Sequence, residues 1–72
     1  MSETVIAVFD DASAADAALQ DLEVARIPST GIRREVGTPG PVLTVTVDEM
    51  HADAVTGILN QHGPIHVEER GY

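Results

Sequence analysis

The chain contains no cysteine, no tryptophan and no lysine, and Phe9 and Tyr72 are its only aromatic residues. Each absence removes a class of chemistry. Without cysteine there are no disulfides, no thiolate metal site and no cysteine nucleophile. Without lysine, all side-chain positive charge rests on Arg26, Arg33, Arg34 and Arg70, against twelve acidic residues and a net charge of −8. Nucleic-acid binding relies on Lys and Arg neutralising phosphates, so this balance argues against nucleic acid as a partner and against anionic membrane surfaces. No apolar run approaches the roughly 20 residues of a membrane span. Met1-Ser2-Glu3-Thr4 carries no basic segment, and the apolar run after it is broken by Asp10 and Asp11. That is not a secretory signal, so a cytoplasmic protein is expected. Many Ala, Val, Asp and Arg residues without lysine point to a GC-rich bacterial source.

What remains is 72 residues, enough for one domain over 1–72. A chain of this size buries only about 60% of its unfolded surface. Such domains usually add disulfides, a metal or oligomerisation to their stability. Disulfides are excluded and no cofactor is expected, which leaves a homo-oligomer as the expected support.

Thr4-Val5-Ile6-Ala7-Val8-Phe9 is a near-continuous apolar run of strand length, as in a strand buried on both faces. From Ala12 to Arg26 the pattern is helical: Ala15, Ala18, Leu19, Leu22 and Ala25 form one stripe. Pro28 is expected to end this helix, and Ser29-Thr30-Gly31 to form a loop. Ile32 to Val36 is a charged strand suited to a sheet edge, and Gly37 to Pro41 a hairpin turn. Val42 to Val47 alternates, with Leu43, Val45 and Val47 on one face and Thr44 and Thr46 on the other. A second helix runs from Glu49 to about Gln61 with Val55, Ile58 and Leu59 inward, ended by Gly63 and Pro64. Ile65 to Glu69 is the last strand, with Ile65 and Val67 on one side and His66 on the other.

The order β-α-β-β-α-β also carries an internal repeat at an offset of 37: Asp11 and Asp48, Ala15-Asp16-Ala17 and Ala52-Asp53-Ala54, Leu22 and Leu59. Two βαβ halves joined by a hairpin predict an α+β, ferredoxin-like sandwich. It has a four-stranded antiparallel sheet, strand order 4-1-3-2, with two helices on one face. The first and third strands, the most apolar, would be central. The other face of the sheet is uncovered. There the first strand presents either Ile6 and Val8 or Val5, Ala7 and Phe9. An apolar strip beside threonines is an interface pattern, so Ile6, Val8, Thr44, Thr46 and His66 are the candidate ligand or interface residues. A homodimer joined sheet face to sheet face is expected.

Catalytic and metal chemistry find little support. Asp10-Asp11 and Asp48-Glu49 resemble a cation cluster, but pairs at two equivalent helix starts are simpler as caps. Of His51, His62 and His66 only two could easily approach each other, and a transition-metal site needs three or four convergent ligands. His62 is expected to face the carbonyls ending its helix, and His66 the open face beside Thr44 or Thr46. Arg26, Arg33 and Arg34 form either an anion site or, more simply, a solvated edge paired with acids. Gly37-Thr38-Pro39-Gly40-Pro41 opens no helix and so is no helix-terminus phosphate loop. No serine sits in a nucleophile elbow.

The amino-acid-binding ACT domains share the βαββαβ order but usually carry a glycine after the first strand, where this chain has Asp10 and Asp11. Val5 to Asp11, the Ala-rich helix, Val42 to Asp48 and Ile58 to Arg70 resemble small bacterial general-stress proteins of the YflT-like, heat-induced kind. That resemblance implies a stress-associated role without catalytic residues. The sequence therefore predicts a non-enzymatic binding or assembly module acting as a homodimer. An ACT-like small-molecule-sensing domain is the alternative. A dimeric α/β-barrel enzyme using His66 is a further one.

Overall fold

The computed structural model describes residues 2–27 and 29–71. The elements are β1 (Ser2–Val8), α1 (Ala12–Val24), β2 (Ser29–Glu35), β3 (Val42–Asp48), α2 (Glu49–Asn60) and β4 (His66–Gly71). The strands form one antiparallel sheet in the order β2-β3-β1-β4, the ferredoxin-like arrangement, with the two most apolar strands central. The smallest dimension is 17 Å, the thickness of one sheet and one layer of helices.

Register decides which side chains meet the helices. Val5 pairs with Val45 and Ala7 with Leu43, and these four residues with Phe9 and Val47 are buried. Directly opposed residues share a face, so Thr4 with Thr46, Ile6 with Thr44 and Val8 with Val42 occupy the other side. The ambiguity of the first strand thus resolves with Val5, Ala7 and Phe9 inward. The helices close the core with Ala15, Ala18 and Leu22 from α1 and Ala52, Val55 and Leu59 from α2. These two triplets are related by the 37-residue offset.

The strand triplets Val5, Ala7, Phe9 and Leu43, Val45, Val47 are offset by 38 instead. The first junction holds one extra residue, Asp10, and that residue separates the fates of the two expected caps. Asp11 has left the sheet, and its side chain accepts from the Ser13 N–H at 2.9 Å. Asp48 is still paired with Ser2 in the ladder. Its alternation sets the side chain on the open-face side, and it makes no cap hydrogen bond.

Several boundaries differ from the sequence expectation. α1 stops at Val24, and Ala25, expected in its apolar stripe, is an exposed C-cap. Arg26 follows in the left-handed region at φ 54, its N–H donating to the Glu23 carbonyl at 3.1 Å. The helix has therefore ended before Pro28, which lies outside the described residues. Ser29 to Gly31 are strand, not loop, with an irregularity between Ser29 and Gly31 that takes up one residue. Val36 falls outside β2 and is fully exposed. Ile65, expected inward, precedes β4 and is 52% exposed, its N–H donating to the Val8 carbonyl at 2.7 Å. Val67 does pack against the core.

Candidate functional site

A cavity of about 390 Å³ opens where the β2–β3 hairpin meets the start of α1. Ala12 lines it from the helix, Arg34 and Glu35 from the end of β2, and Val36, Gly37, Gly40 and Pro41 from the segment that leads to β3. The arrangement of the helices leaves room for it. α2 lies over β1, β3 and β4, and α1 rests on β3 and α2 but not on the backbone of β2. The helix side of β2 is therefore thinly covered, and Ile32 on that side is 37% exposed.

The hairpin loop closes the cavity by docking on the end of the first strand. The Phe9 N–H donates to the Pro41 carbonyl at 2.9 Å. A Cβ on Gly40 would sit 1.9 Å from the Phe9 carbonyl oxygen, and one on Gly37 would sit 2.9 Å from Val42 Cγ2. Glycine at 40 is thus required by the close approach of two backbones. The loop opens no helix, as expected, yet the fold lays it beside the start of α1. Nothing local in the sequence signals that contact, because it joins residues about thirty positions apart in the chain. A glycine needed without a positive φ is the one retrospective sign.

Arg34 is the cavity's positive group. It pairs with Leu43, so its side chain lies on the helix side, where its guanidinium meets the Asp16 carboxylate of α1. A guanidinium has five N–H donors, and one contact at Nη1 does not exhaust them. Arg33 points to the opposite face and pairs with Glu35 at 2.8 Å. The three arginines therefore form no common anion site: neighbours in one strand cannot share a face.

The open sheet face gathers the other candidates. Its three rows, read from β2 to β4, are Glu35–Val42–Val8–His66, Arg33–Thr44–Ile6–Glu68 and Gly31–Thr46–Thr4–Arg70. Ile6, Val8, Thr44, Thr46 and His66 thus share one surface. His66 stands in the row of Val8 and Val42, not beside Thr44 or Thr46 as expected. Thr4 is 5% exposed although no helix covers it. At the β4 edge Arg70 holds Oε2 of Glu68, the same-face neighbour of His66 on β4, at 3.2 Å.

Neither of the remaining histidines lines the cavity. His62 Nε2 meets Asp21 Oδ2 at 2.6 Å, tying the end of α2 to α1 in place of the expected contact with its own helix carbonyls. His51 lies in the first turn of α2 with Nδ1 buried and lacking a hydrogen bond. Among the described residues, no three His, Asp or Glu side chains gather as a metal site would need. No helix among them is long and apolar enough to cross a membrane.

No family model matches the chain, and no curated relative matches it. Solved structures do. Aspartokinase alpha and beta subunits align over 96% of this chain and 49% of theirs, at 15% identity and a TM-score of 0.71. The apo form of LarC2 is the C-terminal domain of a cyclometallase involved in making the NPN cofactor of lactate racemase. It aligns over 96% and 52%, at 17% identity and 0.73. The regulatory subunit of aspartate kinase from Thermus flavus aligns over 96% and 49%, at 18% identity and 0.65. The chain spans about half the length of each. At these identities the likeness is one of fold.

Proposed function

We propose that the protein is a non-catalytic regulatory domain that binds a small carboxylate-bearing molecule, such as an amino acid, in the hairpin cavity. The observation that carries this reading is the cavity itself. At about 390 Å³ it lies within the roughly 300–1,000 Å³ range of small-molecule sites. It is also lined by both Arg34, whose guanidinium meets Asp16 of α1, and Ala12 at the start of that helix, and a guanidinium and a helix start both favour an anionic group. The likeness of fold to an aspartate kinase regulatory subunit supports the reading. It promotes the ACT-like alternative above the assembly module that the sequence favoured.

The domain acts as a homodimer joined through the open sheet face. The half-buried strip of Ile6, Val8, Thr44 and Thr46 supports this, and so does the size of the matched structures, each about twice as long as this chain.

A melting-temperature screen against amino acids and small organic acids tests the ligand. A ligand at ten times its Kd adds about 1.4 kcal/mol, roughly 6–10 °C for a domain of this size. A shift from at least one carboxylate, lost in Arg34→Met, is expected. A flat response across the panel contradicts the reading.

A further inference from the structure

The charges on the open face select one way for two copies to meet. Within the three rows paired across all four strands stand Arg33 and Arg70 against Glu35 and Glu68. This patch is neutral in a chain of net charge −8, so the surplus of negative charge lies elsewhere. Asp48 borders the patch, one row farther on with Ser2. A second copy can therefore approach this face without meeting a net like charge.

Two stacked sheets can be related by a two-fold axis that runs either along the strands or across them. An axis across the strands through the middle row lays Arg33 on Arg33 and Glu68 on Glu68 of the partner subunit. It also lays His66 against the partner's Arg70. An axis along the strands exchanges the edges instead, so that β2 of one copy covers β4 of the other. Arg33 then faces the partner's Glu68, and Glu68 faces the partner's Arg33, each adding to the pair it makes within its own strand, where Arg33 uses one Nη on Glu35 and Glu68 uses Oε2 on Arg70. Glu35 faces the partner's His66, whose ring N–H can donate to the carboxylate. In the centre Ile6 meets the partner's Thr44 and Val8 meets the partner's Val42.

Resting on the homodimer reading above, we propose that two copies stack open face to open face about an axis parallel to the strands, fixed by reciprocal Arg33–Glu68 pairs. Aligned sheets pack about 10 Å apart and rotated by about 30°. Arg33 and Glu68 lie three strand spacings apart, hence about 7 Å from the axis, where that rotation displaces them by only ~3.5 Å. Arginine and glutamate side chains span such an offset. Four strands of about six residues give a patch of roughly 19 by 20 Å, about 400 Å² per copy. This is small for a specific interface, so the dimer is a weak one and its orientation is decided by the charged pairs.

Sedimentation velocity over a concentration series tests this on the wild-type chain, Arg33→Glu, Glu68→Arg and the double variant carrying both. Each single reversal puts two like-charged contacts into the dimer. The expected result is a wild-type dimer with a micromolar Kd, weakened at least tenfold by either single reversal and restored to within about threefold in the double variant. Unchanged Kd values in the single variants overturn the proposed axis while leaving a homodimer. A double variant as weak as the singles also overturns the axis. A wild-type chain that stays monomeric at 1 mM overturns the homodimer reading itself. If a reversed variant does not fold by circular dichroism, Arg33→Gln and Glu68→Gln take its place, with a loss of about threefold or more expected from each.

Discussion

Asp11 and Asp48 are the same residue at matching points of a repeat, and one inserted neighbour gives them different work. Asp11 is free of the sheet and caps α1, whereas Asp48 remains in the β3 ladder. Asp11→Ala should lower the unfolding free energy by about 1 kcal/mol, and Asp48→Ala by less than about 0.5 kcal/mol. Urea denaturation of both variants checks the contrast, and equal losses would contradict it. Arg26 is a second such residue, holding φ 54 without being glycine. A side chain in that region is strained by roughly 1 kcal/mol, so Arg26→Gly should raise stability by about 0.5–1 kcal/mol in the same measurement. Gly40 is the opposite case. Its absent Cβ is what lets the hairpin reach the Phe9 carbonyl. Gly40→Ala should lower stability by about 1–3 kcal/mol and abolish any ligand-induced melting shift, because the loop must leave the cavity wall.

At the scale of elements, periodicity carried most of the fold. Alternation in Val42 to Val47 and the alanine stripe of α1 are local properties, and each predicts its own buried face. The buried triplets Ala15, Ala18, Leu22 and Ala52, Val55, Leu59 follow from the same repeat, although the small Ala52 gives a weaker apolar signal than Ile58, which is only partly buried. What could not be read depended on partners distant in sequence. The face of β1 needed the Val5–Val45 register, and the cavity needed the Phe9–Pro41 contact. The tie from His62 to Asp21 spans 41 residues. Helix ends were misread where a backbone turn, not a proline, did the stopping, as at Ala25 and Arg26. Because so few large side chains fill the core, each matters. Leu59, fully buried against the sheet, should cost about 2–5 kcal/mol when cut to alanine, enough to unfold a large part of the population. Loss of the cooperative melt in Leu59→Ala is the expected observation; a change below about 1 kcal/mol would mean α2 is not seated as described.

For the whole molecule, the uneven distribution of charge links the two proposed surfaces. The neutral open face is where a second copy can come close, while the cavity lies on the other side of the sheet, where Arg34 points. Dimerisation through the open face therefore leaves the cavity accessible, and ligand binding and assembly are separable by variants: Arg34→Met should leave the dimer intact, and Arg33→Glu should leave ligand binding intact. The most direct test of the central claim is amide chemical-shift mapping on the ¹⁵N-labelled protein, titrated with the carboxylate giving the largest melting shift, or with the whole amino-acid panel if none does. Saturable shifts centred on Ala12, Arg34 to Gly37 and Gly40 are the predicted result. Shifts centred on Thr4, Ile6 and Thr44, or none with any compound, would contradict a regulatory site in the hairpin cavity.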